Sequence, residues 1–104
     1  MPDPTPEMTL RQCQDLIEAM YSQKDRERGS APTFLWFSEE VGELAAAIRE
    51  GSAADKSEEF ADVLAWLLTL ANVEEIDVTQ AFWEKFGRGC PGCGQMACDC
   101  DVKP

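Results

Sequence analysis

The chain has 104 residues, with 20 acids against 9 bases and a formal charge of −11. Its length bounds it to one small domain, and a domain this small buries its apolar residues inefficiently unless a metal or a second subunit helps. The charge argues against a nucleic-acid backbone or an anionic membrane as the main partner. The lack of any histidine excludes imidazole bases, Ser-His and Cys-His couples and histidine-ligated zinc.

Residues 1–8 carry three prolines and no apolar run, so they read as a flexible arm and as neither a signal peptide nor an anchor. The longest apolar stretch, 63–73, is too short and interrupted to span a bilayer, and the expected location is cytoplasmic. Thr9 with Gln12 forms a capping-box pattern, and Leu10, Cys13, Ile17 and Met20 or Tyr21 then recur at helical spacing, predicting a helix over about 9–27. Cys13 reads as a small hydrophobe on that helix. Gly29, Ser30 and Pro32 predict the break.

A second helix is expected from Pro32 or Thr33, with Gly51 as its C-terminal cap. Phe37, Val41, Leu44 and Ile48 form its apolar stripe. At about 100° per residue, Glu40 and Glu43 fall beside that stripe while Glu39 and Glu50 point away. Asp55 or Ser57 is the expected cap of a third helix ending near Val73 or Glu74. Beyond Asp62 that helix is apolar all round, through Val63, Leu64, Trp66, Leu67, Leu68 and Leu70, so a second subunit is expected to cover it. Asp77 predicts the start of a short last helix through Ala81, Phe82 and Phe86. The expected fold is all-α, an antiparallel helical bundle completed by oligomerisation, with a helical domain over 9–88 and a tail over 89–104.

Two acid pairs carry the chemistry: Glu40 and Glu43 in Glu39-Glu40-Val41-Gly42-Glu43, and Glu59 and Asp62 in Glu58-Glu59-Phe60-Ala61-Asp62. Each pair is spaced i,i+3, which puts both acids on one helix side, and the fifteen residues between Glu43 and Glu59 suffice for a helix end and a turn. Either pair alone is most simply a set of surface acids. Two pairs flanking one turn, the second on an apolar helix, point instead to four carboxylates around a cation, and Mg²⁺ or Mn²⁺ suits an all-oxygen site.

The run from Phe37 to Leu44 followed by that from Glu58 to Leu67 resembles the MazG-like family of all-α nucleoside triphosphate pyrophosphohydrolases, whose signature is an E-x-x-E helix followed by an E-x-x-D helix. The similarity covers about residues 10–88. It implies a homodimer or dimer-based homotetramer that hydrolyses a nucleoside triphosphate to the monophosphate and pyrophosphate by metal-activated water attack on the α-phosphorus, in nucleotide-pool house-cleaning. Carried over, Glu40, Glu43, Glu59 and Asp62 are the Mg²⁺ ligands, and Glu39 or Glu43, acting through a water, is the general base. Asn72 is a candidate nucleotide contact and Lys85 a candidate phosphate contact, the latter weighed against an ordinary solvated lysine. Trp36 is the aromatic put forward for base stacking, with Trp66 and Trp83 left to the core or a subunit interface. Two rivals stand beside this reading. One is phosphoribosyl-ATP pyrophosphohydrolase, whose second acidic helix carries a histidine that this chain lacks. The other is a non-enzymatic helical oligomer that binds ions and docks a partner through its tail.

In that tail, Cys90-Pro91-Gly92-Cys93 and Cys98-Asp99-Cys100 place four of five cysteines within eleven residues. A C-x-x-C turn followed by Gly94 and a second close pair read as an all-thiolate structural Zn²⁺ site at Cys90, Cys93, Cys98 and Cys100. An iron–sulfur centre or a redox-active dithiol is the alternative.

Overall fold

A computed structural model describes residues 3–104 as four helices: α1 (Leu10–Arg28), α2 (Ser30–Glu50), α3 (Ala53–Val73) and α4 (Val78–Phe86). No strand occurs among the described residues, so the all-α expectation holds. Of the N-terminal arm, Met1 and Pro2 lie outside the described residues, while 3–8 are exposed and without regular structure. No described helix is long and apolar enough to cross a membrane.

The helix starts follow local hydrogen-bond chemistry. At α1, Gln12 N–H donates to Thr9 Oγ1 at 3.0 Å and Thr9 N–H donates to Gln12 Oε1 at 2.7 Å, the reciprocal box that the sequence predicts. At α3 the cap is Ser52, not Asp55 or Ser57. Asp55 occupies the third helical position and closes a second box, donating its N–H to Ser52 Oγ at 3.2 Å and accepting from Ser52 N–H at 3.0 Å. These contacts, the Ser52 backbone N–H first, hold the Asp55 carboxyl below its ordinary range.

The break between α1 and α2 is tighter than expected. Gly29 alone separates them, at φ 80° and ψ 178°, a conformation that only glycine adopts without strain. Pro32 lies inside the first turn of α2, where its missing N–H has no helical partner to lose, so α2 starts two residues before the expected Pro32. Gly51 ends α2 as predicted, its N–H donating to Ala47 O at 2.7 Å.

α3 is the central element, with α1 and α2 packed on it and α4 resting against α1. Its C-terminus closes in a Schellman turn, with Ile76 N–H donating to Ala71 O at 2.8 Å and Glu75 N–H to Asn72 O at 3.1 Å. Glu75 sits at the left-handed position of that turn, φ 59°, where glycine is usual. Gln14 bolts α1 to this corner. Its Nε2 donates to Asn72 Oδ1 at 3.0 Å and to Ile76 O at 2.7 Å, and its Oε1 accepts from Val78 N–H at 3.0 Å. Asp77 caps α4, accepting from Gln80 N–H at 3.1 Å and pairing with Arg11 at 2.7 Å, and these contacts, Arg11 foremost, lower its carboxyl pKa.

The face that α2 turns to α3 differs from the stripe read from its sequence. Thr33 and Ala47 are buried and Phe37, Glu40 and Leu44 half-buried, whereas Val41 and Ile48 are exposed. Positions 33, 37, 40, 44 and 47 form the seam, and Glu40 lies within it. Among the described residues the buried apolar ones are Ala47, Leu68 and Ala71, outnumbered by the buried polar Gln14, Asp25, Thr33 and Thr69. Leu35 is 71% exposed, Phe60 59% and Trp83 57%.

Candidate metal and substrate site

The two-residue connection at Gly51 and Ser52 folds α3 back along α2, and the antiparallel register sets Glu40 beside Asp62 and Trp36 beside Trp66. Carboxylate oxygens of Glu40, Glu59 and Asp62 lie within 4.8 Å of one another, and all three residues are half-buried. Opposed ligands on one Mg²⁺ stand about 4.2 Å apart, twice the Mg–O distance. The observed spacing is therefore close to that of a shared ion.

Crowding and burial act on the acids together. Burial foremost, then the charges of Asp62, Glu43 and Glu39, pushes the Glu40 carboxyl above its ordinary pKa, partly offset by a hydrogen bond with Glu59. Burial, then Asp62, Glu40, Glu43 and Glu58, does the same to Glu59. Glu59 Oε2 is buried without any hydrogen-bond partner. An orphaned anionic oxygen in such a cluster is costly unless a proton or a cation neutralises it, so the donor set fits a divalent ion.

Not every expected residue joins this cluster. Glu43 is exposed and lies outside the three-acid group, near enough to act on it through charge; Glu39 is exposed as well. Asn72 is engaged elsewhere: besides accepting from Gln14 Nε2, its Nδ2 donates to Gln14 O at 3.3 Å. As a nucleotide contact it would have to leave those bonds. Lys85 is exposed on α4, its Nζ 5.5 Å from the Phe86 ring centre. Trp36 and Trp66 stack near-parallel, with centroids 6.1 Å apart and an interplanar angle of 18°. They sit one turn from Glu40 and from Asp62 on the same helix faces, so an aromatic floor adjoins the carboxylates. Trp83 is exposed on α4.

Sequence reasoning missed Asp25, Arg28 and Thr33. Arg28 Nη1 pairs with Asp25 Oδ1 at 3.1 Å, reaches Thr33 Oγ1 at 3.4 Å, and its guanidinium carbon lies 5.0 Å from the Trp66 ring centre. Thr33 Oγ1 donates to Gly29 O at 2.6 Å. The available signal was an Asp-x-x-Arg pair at i,i+3 just before the glycine break.

The second cluster is the tail. The four sulfurs of Cys90, Cys93, Cys98 and Cys100 lie within 4.8 Å of one another, with Cys90 and Cys100 Sγ 3.9 Å apart and no disulfide. The edge of a Zn–S₄ tetrahedron built on ~2.3 Å bonds is about 3.8 Å. Gly94, at φ 75°, closes the first turn by donating its N–H to Cys90 O at 2.7 Å. Backbone N–H groups face the sulfurs: Gly92 donates to Cys90 at 3.4 Å, Asp99 to Cys93 at 3.3 Å and Cys100 to Cys98 at 3.3 Å. The Asp99 and Gln95 N–H groups lower Cys93 to about 6, and N–H donation, chiefly from Cys93, lowers Cys90. Cys100 is pushed up to about 11 because hydrogen bonding with Cys98 and Cys93 keeps its proton in place.

A search of curated proteins returned no match. The MazG nucleotide pyrophosphohydrolase domain matches residues 29–94, a segment spanning α2, α3, α4 and the first cysteine pair. With both acidic motifs inside that segment and more than half the chain covered, the protein belongs to the MazG nucleotide pyrophosphohydrolase domain family.

Proposed function

We propose that the protein is a Mg²⁺-dependent nucleoside triphosphate pyrophosphohydrolase, acting in the cytoplasm in nucleotide-pool house-cleaning. The supporting observation is the convergence of Glu40, Glu59 and Asp62 from two helices around the unpartnered Glu59 Oε2. These three would hold the cation, joined by Glu43 once that exposed side chain turns inward; Mn²⁺ has the same preference for oxygen. A bound divalent ion offsets triphosphate charge and polarises the α-phosphorus. The chain's own residues do the rest. The carboxylates would hold the ion that draws the α-phosphate to the seam, Glu39 or Glu43 would take a proton from the attacking water, and Trp36 would offer a surface for the base. Lys85 is the proposed phosphate contact. Asn72 is the proposed nucleotide contact once it is released from Gln14.

Pyrophosphate release from a panel of canonical, deoxy and modified triphosphates tests this reading. Mg²⁺-dependent release is expected, and Asp62→Asn should lower it at least about 100-fold, more than loss of an outer-shell partner typically costs. Release by neither protein on any substrate would sink the reading.

The exposed apolar side chains support an oligomer. Leu35, Ile48, Phe60, Leu64 and Leu67 lie on α2 and α3 with little cover from their own chain, and a second copy in a homodimer or dimer-based homotetramer would bury them. Sedimentation should show a dimer or tetramer, and Leu35→Lys with Phe60→Lys should shift it toward monomer. For the tail, residues 89–104 appended to the helical domain over 9–88, the sulfur spacing and N–H···S bonds support a closed, structural Zn²⁺ site.

A further inference from the structure

A separate cavity of about 230 Å³ opens beside the aromatic floor, lined by Tyr21, Asp25 and Arg28 of α1 and by Ala65, Trp66 and Thr69 of α3. Trp66 and Thr69 follow Asp62 by one and two turns, about 6 and 10 Å of helix rise. Along α3 the cavity is thus offset from Asp62 by one to two helical turns. Tyr21, Ala65 and Trp66 give it flat apolar walls, and Asp25 and Arg28 put an anion and a cation side by side at one end.

Asp25 is only 3% exposed. Its Oδ1 pairs with Arg28, while its Oδ2 is buried without a hydrogen-bond partner. A buried carboxylate oxygen left unpaired is expensive, and a ligand N–H removes that cost. Arg28 commits Nη1 to Asp25 and Thr33, and a guanidinium carries further N–H donors beyond that nitrogen. An unpaired acceptor, which a turn of the Asp25 side chain would bring to the cavity surface, and a donor therefore belong to the same wall. Both residues precede the segment that matches the family, 29–94.

We propose that this cavity is the nucleobase pocket and that Asp25 with Arg28 selects bases carrying an amidine edge on their Watson–Crick face, those of cytosine and adenine; the proposal rests on the nucleotide reading above. In such an edge an exocyclic amino group donates to Asp25 Oδ2, and the adjacent ring nitrogen accepts from Arg28. Uracil and hypoxanthine invert both positions. A carbonyl then faces the carboxylate and a ring N–H faces the guanidinium, leaving both protein groups unsatisfied.

Calorimetric titration of the Mg²⁺-loaded protein with CMP against UMP, and with AMP against IMP, tests the pocket without requiring turnover. The amino-bearing member of each pair should bind roughly tenfold tighter or better, the value of a hydrogen bond to a charged group. In Asp25→Asn, the Oδ1 acceptor for Arg28 is kept and an N–H₂ replaces Oδ2, so the preference should vanish or reverse. Equal affinities within both pairs for the unmodified protein would overturn the proposal, as would an unchanged ratio in a folded Asp25→Asn. A merely structural Asp25 would alter stability and leave the ratio alone. Base discrimination without pyrophosphate release would remove the hydrolase reading and keep the pocket. Release with no discrimination would do the opposite.

Discussion

Glu40, Glu59 and Asp62 come from two helices and meet across a packed seam, whereas Cys90, Cys93, Cys98 and Cys100 meet within one stretch of eleven residues. Each group gathers anions that repel unless a cation lies among them, yet the supports differ. In the seam, helical rods hold the acids and burial raises two of their pKa values. In the tail, turns aim backbone N–H groups at the sulfurs and lower two thiol pKa values. A rigid scaffold keeps hard oxygens in place even when they are strained, while a short loop tolerates four sulfurs only by satisfying them locally. The first arrangement suits an exchangeable ion beside a substrate. The second suits a permanent one.

The sharpest way to break this contrast is to disable each cluster alone. Asp62→Asn should abolish most pyrophosphate release while leaving bound zinc near one per chain. Cys93→Ser should cost most of the zinc, read by metal analysis after dialysis, while cleavage stays within a few-fold. Equal loss of activity in both variants would show that the tail belongs to the catalytic site.

A smaller effect concerns pH. Because Glu40 and Glu59 have folded pKa values above their unfolded ones, the folded state holds the extra protons. Their contribution to stability is therefore present at low pH and lost as pH rises through the raised values. Metal-free protein should lose thermal stability from this source as pH rises above the ordinary carboxylate range. Mg²⁺ at pH 7 should restore it, and Glu59→Gln should blunt both responses. Asp55 and Asp77, whose pKa values are lowered, act with the opposite sign, their stabilisation lost only at more acid pH. A thermal midpoint in metal-free protein with the same pH profile in wild type and Glu59→Gln would contradict this account.

The smallest expected change lies outside both clusters. Glu75 holds a left-handed backbone conformation at the end of α3, so Glu75→Gly should stabilise the fold by about 1 kcal/mol in denaturant titration. A loss of stability would show that the side chain compensates for its backbone.

Much of the helical frame was legible beforehand, and for local reasons. Thr9 with Gln12, Gly51, and Asp77 each act within a few residues of themselves, so their roles survive whatever packs around them. The Ser52 cap is harder to see, because the partner in its box is an aspartate rather than the more familiar glutamate. On α2 hydrophobicity is a poor sign of burial. In the structure the seam runs through Thr33 and Glu40, while Val41 and Ile48 face outward. Gln14, a polar residue on an exposed-looking helix, gave no sign in the sequence that it would bolt a corner, and the Asp25–Arg28 spacing announced an ion pair but not the cavity that it lines.

What the sequence determined by itself was everything short in range: four helices, their caps, the i,i+3 spacing of each acid pair and the closeness of the cysteines, because backbone hydrogen bonding and turn geometry act over a few residues. Only the tertiary structure decided which acids meet. The register of α3 against α2 brings Glu40 to Glu59 and Asp62 and leaves Glu43 at the rim, and the packing of α1 on α3 carries Asp25 and Arg28 to Trp66. Those contacts join residues up to about forty positions apart, and interhelical packing, to which no local pattern is tied, sets them.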